Sequence, residues 1–130
     1  MTQDPLIQRL EETLSGLKDF QHATVDRVTH HFLDDAEHHN RILVADEVGL
    51  GKTIVAKGII ARLLKDRLQN PRRETIRPLR VIYICSNQAL AHENRQKLSL
   101  FKDETEQRKY LRQPQFNRLA ELALHQNTDN

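Results

Sequence analysis

The sequence predicts an α/β fold in which parallel strands are flanked by helices and preceded by a helical extension. Three observations carry this. Two short apolar runs, Ile42 to Ala45 and Val81 to Cys85, are separated by one long helical stretch. The second run is apolar at almost every position, the pattern of a parallel strand covered on both faces. Between the first run and the helical stretch stands Asp46-Glu47-Val48-Gly49-Leu50-Gly51-Lys52-Thr53, a glycine-bearing turn where a strand hands over to a helix. Two strands joined through one helix make a right-handed βαβ unit.

Taken in order, Asp4-Pro5 is a helix start: a capping side chain, then proline at the first helical position. Leu6, Leu10, Leu14 and Leu17 follow at helical spacing, and Gly16 weakens the end. A second helix is predicted from about Gln21 to Leu33, with Ala23, Val25, Val28 and Phe32 as its apolar set. The strand Ile42 to Ala45 comes next. The helix from Lys52 to about Leu68 then carries Val55, Ala56, Ile59, Ile60, Leu63 and Leu64, a stripe wide enough to pack on a sheet. Gly58 inside it costs about 1 kcal/mol against alanine and allows close approach to a strand. Asn70-Pro71 ends this helix, and residues 71–79 read as an exposed arginine-rich connection. Ser86 or Asn87 then caps a helix running to about Leu98. The tail from Ser99 to Asn130 is partly helical, broken at Pro114, and ends in polar residues.

Composition narrows the class. The chain has 130 residues, 38% hydrophobic, 5% aromatic and 29% charged. One domain of this length buries roughly two-thirds of its unfolded surface. Net charge is 20 − 18 = +2, too balanced to argue for nucleic acid by itself. Arg72, Arg73, Arg77 and Arg80 cluster, and a solvated linker is the first reading of that run. The single cysteine, Cys85, excludes an internal disulfide and reads as a small buried apolar residue. No apolar stretch approaches membrane-spanning length and the N-terminus does not read as a secretory signal, so a cytoplasmic location is expected.

The octapeptide carries the chemistry. A strand, a glycine turn and a helix start aim several backbone N–H groups into one concavity, and the helix end adds partial positive charge. A polyphosphate fits there. Lys52 can reach the outer phosphates and the Thr53 hydroxyl can ligate Mg²⁺. The strict phosphate-loop pattern has glycine where Asp46 stands.

With Asp-Glu opening the loop, this segment resembles motif I of superfamily-two helicases. Among these it looks most like the Swi/Snf-type translocating ATPases and their bacterial DEAD/DEAH-like relatives. Two further segments resemble the same family. Leu17-Lys18-Asp19-Phe20-Gln21-His22 is similar to its upstream glutamine motif, about thirty residues before Lys52. The resemblance implies that Gln21 reads adenine, since an amide can donate to N7 and accept from N6. Ile82 to Ala91 is similar to motif Ia, where polar groups meet a nucleic-acid backbone; Ser86 and Asn87 would make that contact, and helix capping is the alternative use of either. The resemblance covers about residues 17–98 and implies the first part of a RecA-like lobe. It divides the chain into N-terminal helices with the glutamine motif (1–40), a phosphate-loop βαβ core (41–98) and a helical, truncated tail (99–130).

It also implies ATP and Mg²⁺ as cofactors, with Glu47, Val48, Gly49, Leu50, Gly51, Lys52 and Thr53 joining Gln21 at the nucleotide. Nucleic acid, duplex DNA foremost, is the implied partner of the parent protein, and a split helicase's remainder is another. No catalytic residue is assigned. Hydrolysis in this family needs an apolar strand ending in Asp-Glu, and arginines from a second lobe. The nearest segment after Thr53 is Leu98 to Glu104, where Ser99 and Lys102 interrupt the apolar run before Asp103-Glu104. The sequence thus reads as the N-terminal piece of a helicase that binds ATP, with turnover expected only in a two-lobe protein. The alternative is a non-catalytic interaction module that keeps the loop for its fold. A phosphate-loop kinase is disfavoured by Asp46 and the glutamine motif. His30, His31, Asp34, Asp35, Glu37, His38 and His39 crowd the end of the second helix and read as a solvated terminus before a metal site.

Overall fold

Asp4 opens the first helix as its sequence predicts. In a computed structural model that describes residues 4–34, 36, 39–45, 51–70, 79–103 and 105–107, the Asp4 carboxylate accepts the Leu6 N–H at 2.9 Å. Pro5, with no N–H to satisfy, takes the first position of α1 (Pro5–Ser15). Leu6, Leu10 and Leu14 recur every four residues and are buried along one face.

Helix α2 (Asp19–Leu33) starts two residues before Gln21, with Lys18 as N-cap. A lysine side chain has no lone pair to offer the helix start. The Gln21 Oε1 instead accepts the Lys18 N–H at 3.0 Å, one half of a capping box. Val25 and Val28 are buried as expected, but Ala23 is exposed and Phe32 half-buried. Thr29 is buried in their place, its hydroxyl donating to the Val25 carbonyl at 2.7 Å.

Helix α3 (Lys52–Gln69) is the hub. It touches α1, α2 and α4 (Gln88–Leu98). Its buried residues are Val55, Gly58, Ala61 and Leu64, an i, i+3 row. Around this row Leu6, Leu10, Leu14, Val25 and Leu100 complete the core, with Leu17, Ile59, Ile60, Leu68, Leu79 and Phe101 packed against it. The stripe expected to lie on a sheet therefore lies on helices. Gly58 is the tightest point: a Cβ there would sit 2.8 Å from Val25 Cγ2 and 3.1 Å from Leu17 Cδ1. The close approach is to α2 and not to a strand. Two ion pairs flank it, Arg62 with Asp26 and Lys65 with Glu11, both at 3.3 Å.

Neither expected strand forms among the described residues; Leu79 makes an isolated bridge, and 41–45 and 81–85 have no ladder. Much of the apolar surface of these runs stays in solvent, with Leu43 88%, Ile82 69% and Ile84 74% exposed, while Ile42 and Val44 are half-buried. A parallel strand gains its hydrogen bonds from neighbours and its burial from helices on both faces. Here α1 and α2 pack on the buried row of α3, and among the described residues it covers no strand. Tyr83 is tied to α4 by a bond that Asn94 Nδ2 donates to its hydroxyl at 2.7 Å. Cys85 is half-buried and not a core residue. No helix among the described residues is long and apolar enough to cross a membrane.

Candidate functional site

Helix α3 begins at a residue with no side chain. Gly51 is its N-cap, at φ 80° and ψ 46°, and among the described residues it alone has positive φ. Glycine enters this left-handed region without the Cβ clash that other residues meet. A glycine N-cap has no side-chain oxygen of its own to offer the N–H groups of the first turn. The first helical bond runs from the Val55 N–H to the Gly51 carbonyl at 3.0 Å. The first turn brings no carboxylate to this end, where the helix dipole is positive. Lys52 is exposed and Thr53 half-buried in the same turn. Amides, an ammonium and a hydroxyl at one helix end suit a polyphosphate and its magnesium.

Gln21 lies against this turn. It is 5% exposed, and a Cβ on Gly51 would come 2.7 Å from its Nε2. Two motifs thirty residues apart in the chain thus meet. Sequence reasoning paired them through the resemblance alone, and it missed Lys18. The signal was present: Lys18 and Gln21 stand three apart, the N-cap to N3 spacing. A depression of about 460 Å³ opens beside Thr53 and Ile54, with Gly16 and Leu17 on one side and Lys57 and Lys97 among its lining. Asp46, Glu47, Val48, Gly49 and Leu50 lie outside the described residues.

The motif Ia candidates are both exposed at the start of α4. Asn87 is the cap: its Oδ1 accepts the N–H groups of Ala89 at 2.9 Å and Leu90 at 3.3 Å. Ser86 takes no part in that cap.

The segment Leu98 to Asp103 is no buried acidic strand. Leu100 is buried and Phe101 half-buried, while Asp103 is exposed. The Asp103 carboxylate accepts the Glu106 N–H at 2.8 Å, capping the turn at 105–107. Glu104 lies outside the described residues. Glu106 accepts the Lys102 N–H at 2.7 Å and pairs with Arg9. Those contacts, the Lys102 N–H first, hold its carboxyl below the ordinary carboxylate value.

At the end of α2, the rings of His31 and His39 lie 5.0 Å apart and those of His30 and His31 5.8 Å apart. His30 reaches Asp34 at 3.4 Å. Among the described residues no group of three or more ligating side chains could hold a metal; Asp35, Glu37 and His38 lie outside them.

The family model described as "Type III restriction enzyme, res subunit" matches residues 3–129. No curated protein and no solved structure matches the chain. The match spans the glutamine segment, the Gly51 turn and α3 together. The chain therefore belongs to the type III restriction enzyme res-subunit family, as a helicase-like superfamily-two N-terminal segment of a kind that typically uses ATP and Mg²⁺.

Proposed function

We propose that this chain is the ATP-binding N-terminal segment of an ATP-dependent DNA helicase or translocase of the Swi/Snf-like kind, built on the first part of a RecA-like lobe. The observation that carries the reading is the left-handed Gly51 at the head of α3, with Lys52 and Thr53 in the turn behind it. In this reading the backbone through Gly51, Lys52 and Thr53 holds the phosphates, Lys52 neutralises them, and Thr53 holds Mg²⁺. Glu47, Val48, Gly49 and Leu50 join them on the strength of the sequence. Gln21 would read adenine. ATP, when bound with Mg²⁺, supplies the phosphoryl group whose hydrolysis drives movement along nucleic acid. Ser86 and Asn87 would touch that strand's backbone.

Binding without appreciable turnover is the expected behaviour of the isolated chain. Asp103, the half of the acidic pair that is described, is exposed and engaged in capping. Calorimetric titration with a non-hydrolysable ATP analogue and Mg²⁺ tests the site: Lys52→Ala abolishes binding while circular dichroism stays unchanged. Equal affinity in both proteins refutes the reading. The exposed Asp103 also favours a second reading, a non-catalytic module that keeps the loop for its fold. Absence of binding at millimolar nucleotide would support it.

A further inference from the structure

Gln21 has a structural post that its adenine role does not require. It is a buried polar side chain on α2, 5% exposed. Its Oε1 holds the Lys18 N–H at 3.0 Å, which fixes the start of α2. Its Nε2 end is packed so closely on Gly51 that a Cβ there would lie 2.7 Å away. Gly51 in turn supplies the carbonyl that accepts the first α3 bond, from Val55. One carboxamide therefore stands between two helix starts. A buried amide with a committed oxygen has little freedom to rotate, because turning it would break the Lys18 bond and leave a buried polar group mispaired.

We infer that Gln21 is a positioning residue for the phosphate site: by bracing the left-handed turn at Gly51 against the start of α2, it holds the head of α3 in its anion-accepting conformation, whatever base the nucleotide carries. The inference deepens the nucleotide reading above and rests on it for the ligand, though not for the geometry. A base-reading glutamine alters affinity only for ligands that have a base. A bracing glutamine alters affinity for the phosphate chain itself, and it alters the α3 start with no ligand present.

The experiment uses the full chain, with inorganic tripolyphosphate and Mg²⁺·ATP as probes, and Gln21→Leu and Gln21→Glu as variants. Glutamate keeps an oxygen for the Lys18 N–H; leucine keeps only bulk. The first readout is amide hydrogen exchange at Val55 without ligand, with Leu64 as a control for overall folding. Gln21→Leu speeds exchange at Val55 about tenfold, the scale of one lost buried hydrogen bond, and leaves Leu64 unchanged; Gln21→Glu retains more of the protection. The second readout is affinity: Gln21→Leu weakens tripolyphosphate as well as ATP, and the loss shared by both is the bracing contribution, any excess for ATP being the base contact. Unchanged Val55 exchange overturns the inference, as does a loss confined to ATP, which marks a base reader alone. Should the unsubstituted chain bind neither probe, the nucleotide reading falls, while exchange at Val55 still decides whether Gln21 braces the turn.

Discussion

Gly58 of α3 and Val25 of α2 approach so closely that a Cβ on the glycine would stand 2.8 Å from Val25 Cγ2. Both residues are buried. A glycine inside an exposed helix is normally a defect, and replacing it by alanine gains about 1 kcal/mol of helix propensity. Here the added methyl meets a side chain with nowhere to go. Gly58→Ala is expected to destabilise the chain by about 1–3 kcal/mol net, the usual cost of overpacking. Urea unfolding measures it. Val25→Ala opens the space, so the double variant loses less than the two single losses added together. Strict additivity would show that the two residues do not share one contact.

At Gly51 the demand for glycine is twofold. Its φ of 80° excludes side chains on conformational grounds, and Gln21 Nε2 occupies the place a Cβ needs. Gly51→Ala should cost about 1–2 kcal/mol from the left-handed backbone alone, with the steric term added. Pairing it with Gln21→Ala removes the second term and leaves the first. Thermal unfolding of the double variant against Gln21→Ala isolates the backbone cost. A vanishing cost would mean that the turn relaxes out of the left-handed region.

These two glycines also show what the sequence made legible. Local chemistry reads well: Asp4-Pro5 opens α1 as expected, Asn87 caps α4 where the sequence offers Ser86 or Asn87, and α3 starts at Lys52 as the glycine turn predicts. Caps depend on neighbours a few residues away, and such information is written in the chain. What a stripe packs against is not so written. The wide apolar face of α3 suits a sheet or helices equally, and Gly58 marks a close approach without naming the partner. Val81 to Cys85 has the composition of a buried strand, yet composition provides neither the neighbouring ladder nor the covering helix. The sequence places the start of α2 late because Lys18 carries no capping signal of its own; the signal sits at Gln21, three residues on. At the candidate site, resemblance assigns Gln21 and Gly51 to one nucleotide, but their direct approach is seen only in the fold and could not be read from local pattern.

The pairing of Arg9 with Glu106 links α1 to the turn at 105–107. The Glu106 carboxyl lies below its ordinary value of 4.5, through the Lys102 N–H first and Arg9 after it. A depressed carboxylate stabilises the fold above its unfolded value and loses that contribution as pH falls through its folded value. Glu106→Gln should therefore be less stable than the natural chain at pH 7, by under about 1 kcal/mol since the pair is partly exposed. The gap should close as pH falls below 4.5. Urea unfolding from pH 7 to pH 3 follows it, and a gap that persists unchanged at the acid end would exclude the Glu106 charge as its source.

Asn87 is the residue at which capping and nucleic-acid contact can be pulled apart. Its Oδ1 accepts two N–H groups at the head of α4, a helix in which no residue is buried. With so little packing behind it, α4 depends on its cap. Asn87→Ala should cost about 1 kcal/mol, felt as faster amide exchange at Ala89 and Leu90 more than as lost global stability. Asn87→Asp keeps an acceptor oxygen and adds a negative charge favourable to a helix start. The same charge repels a phosphate backbone. If Asn87 meets nucleic acid, Asn87→Asp keeps the protection at Ala89 and Leu90 while weakening DNA binding in a salt-dependent way. If it is a cap alone, the aspartate variant binds as the natural chain does. Fluorescence anisotropy with labelled duplex DNA at two salt concentrations, beside exchange on the same variants, separates the two roles.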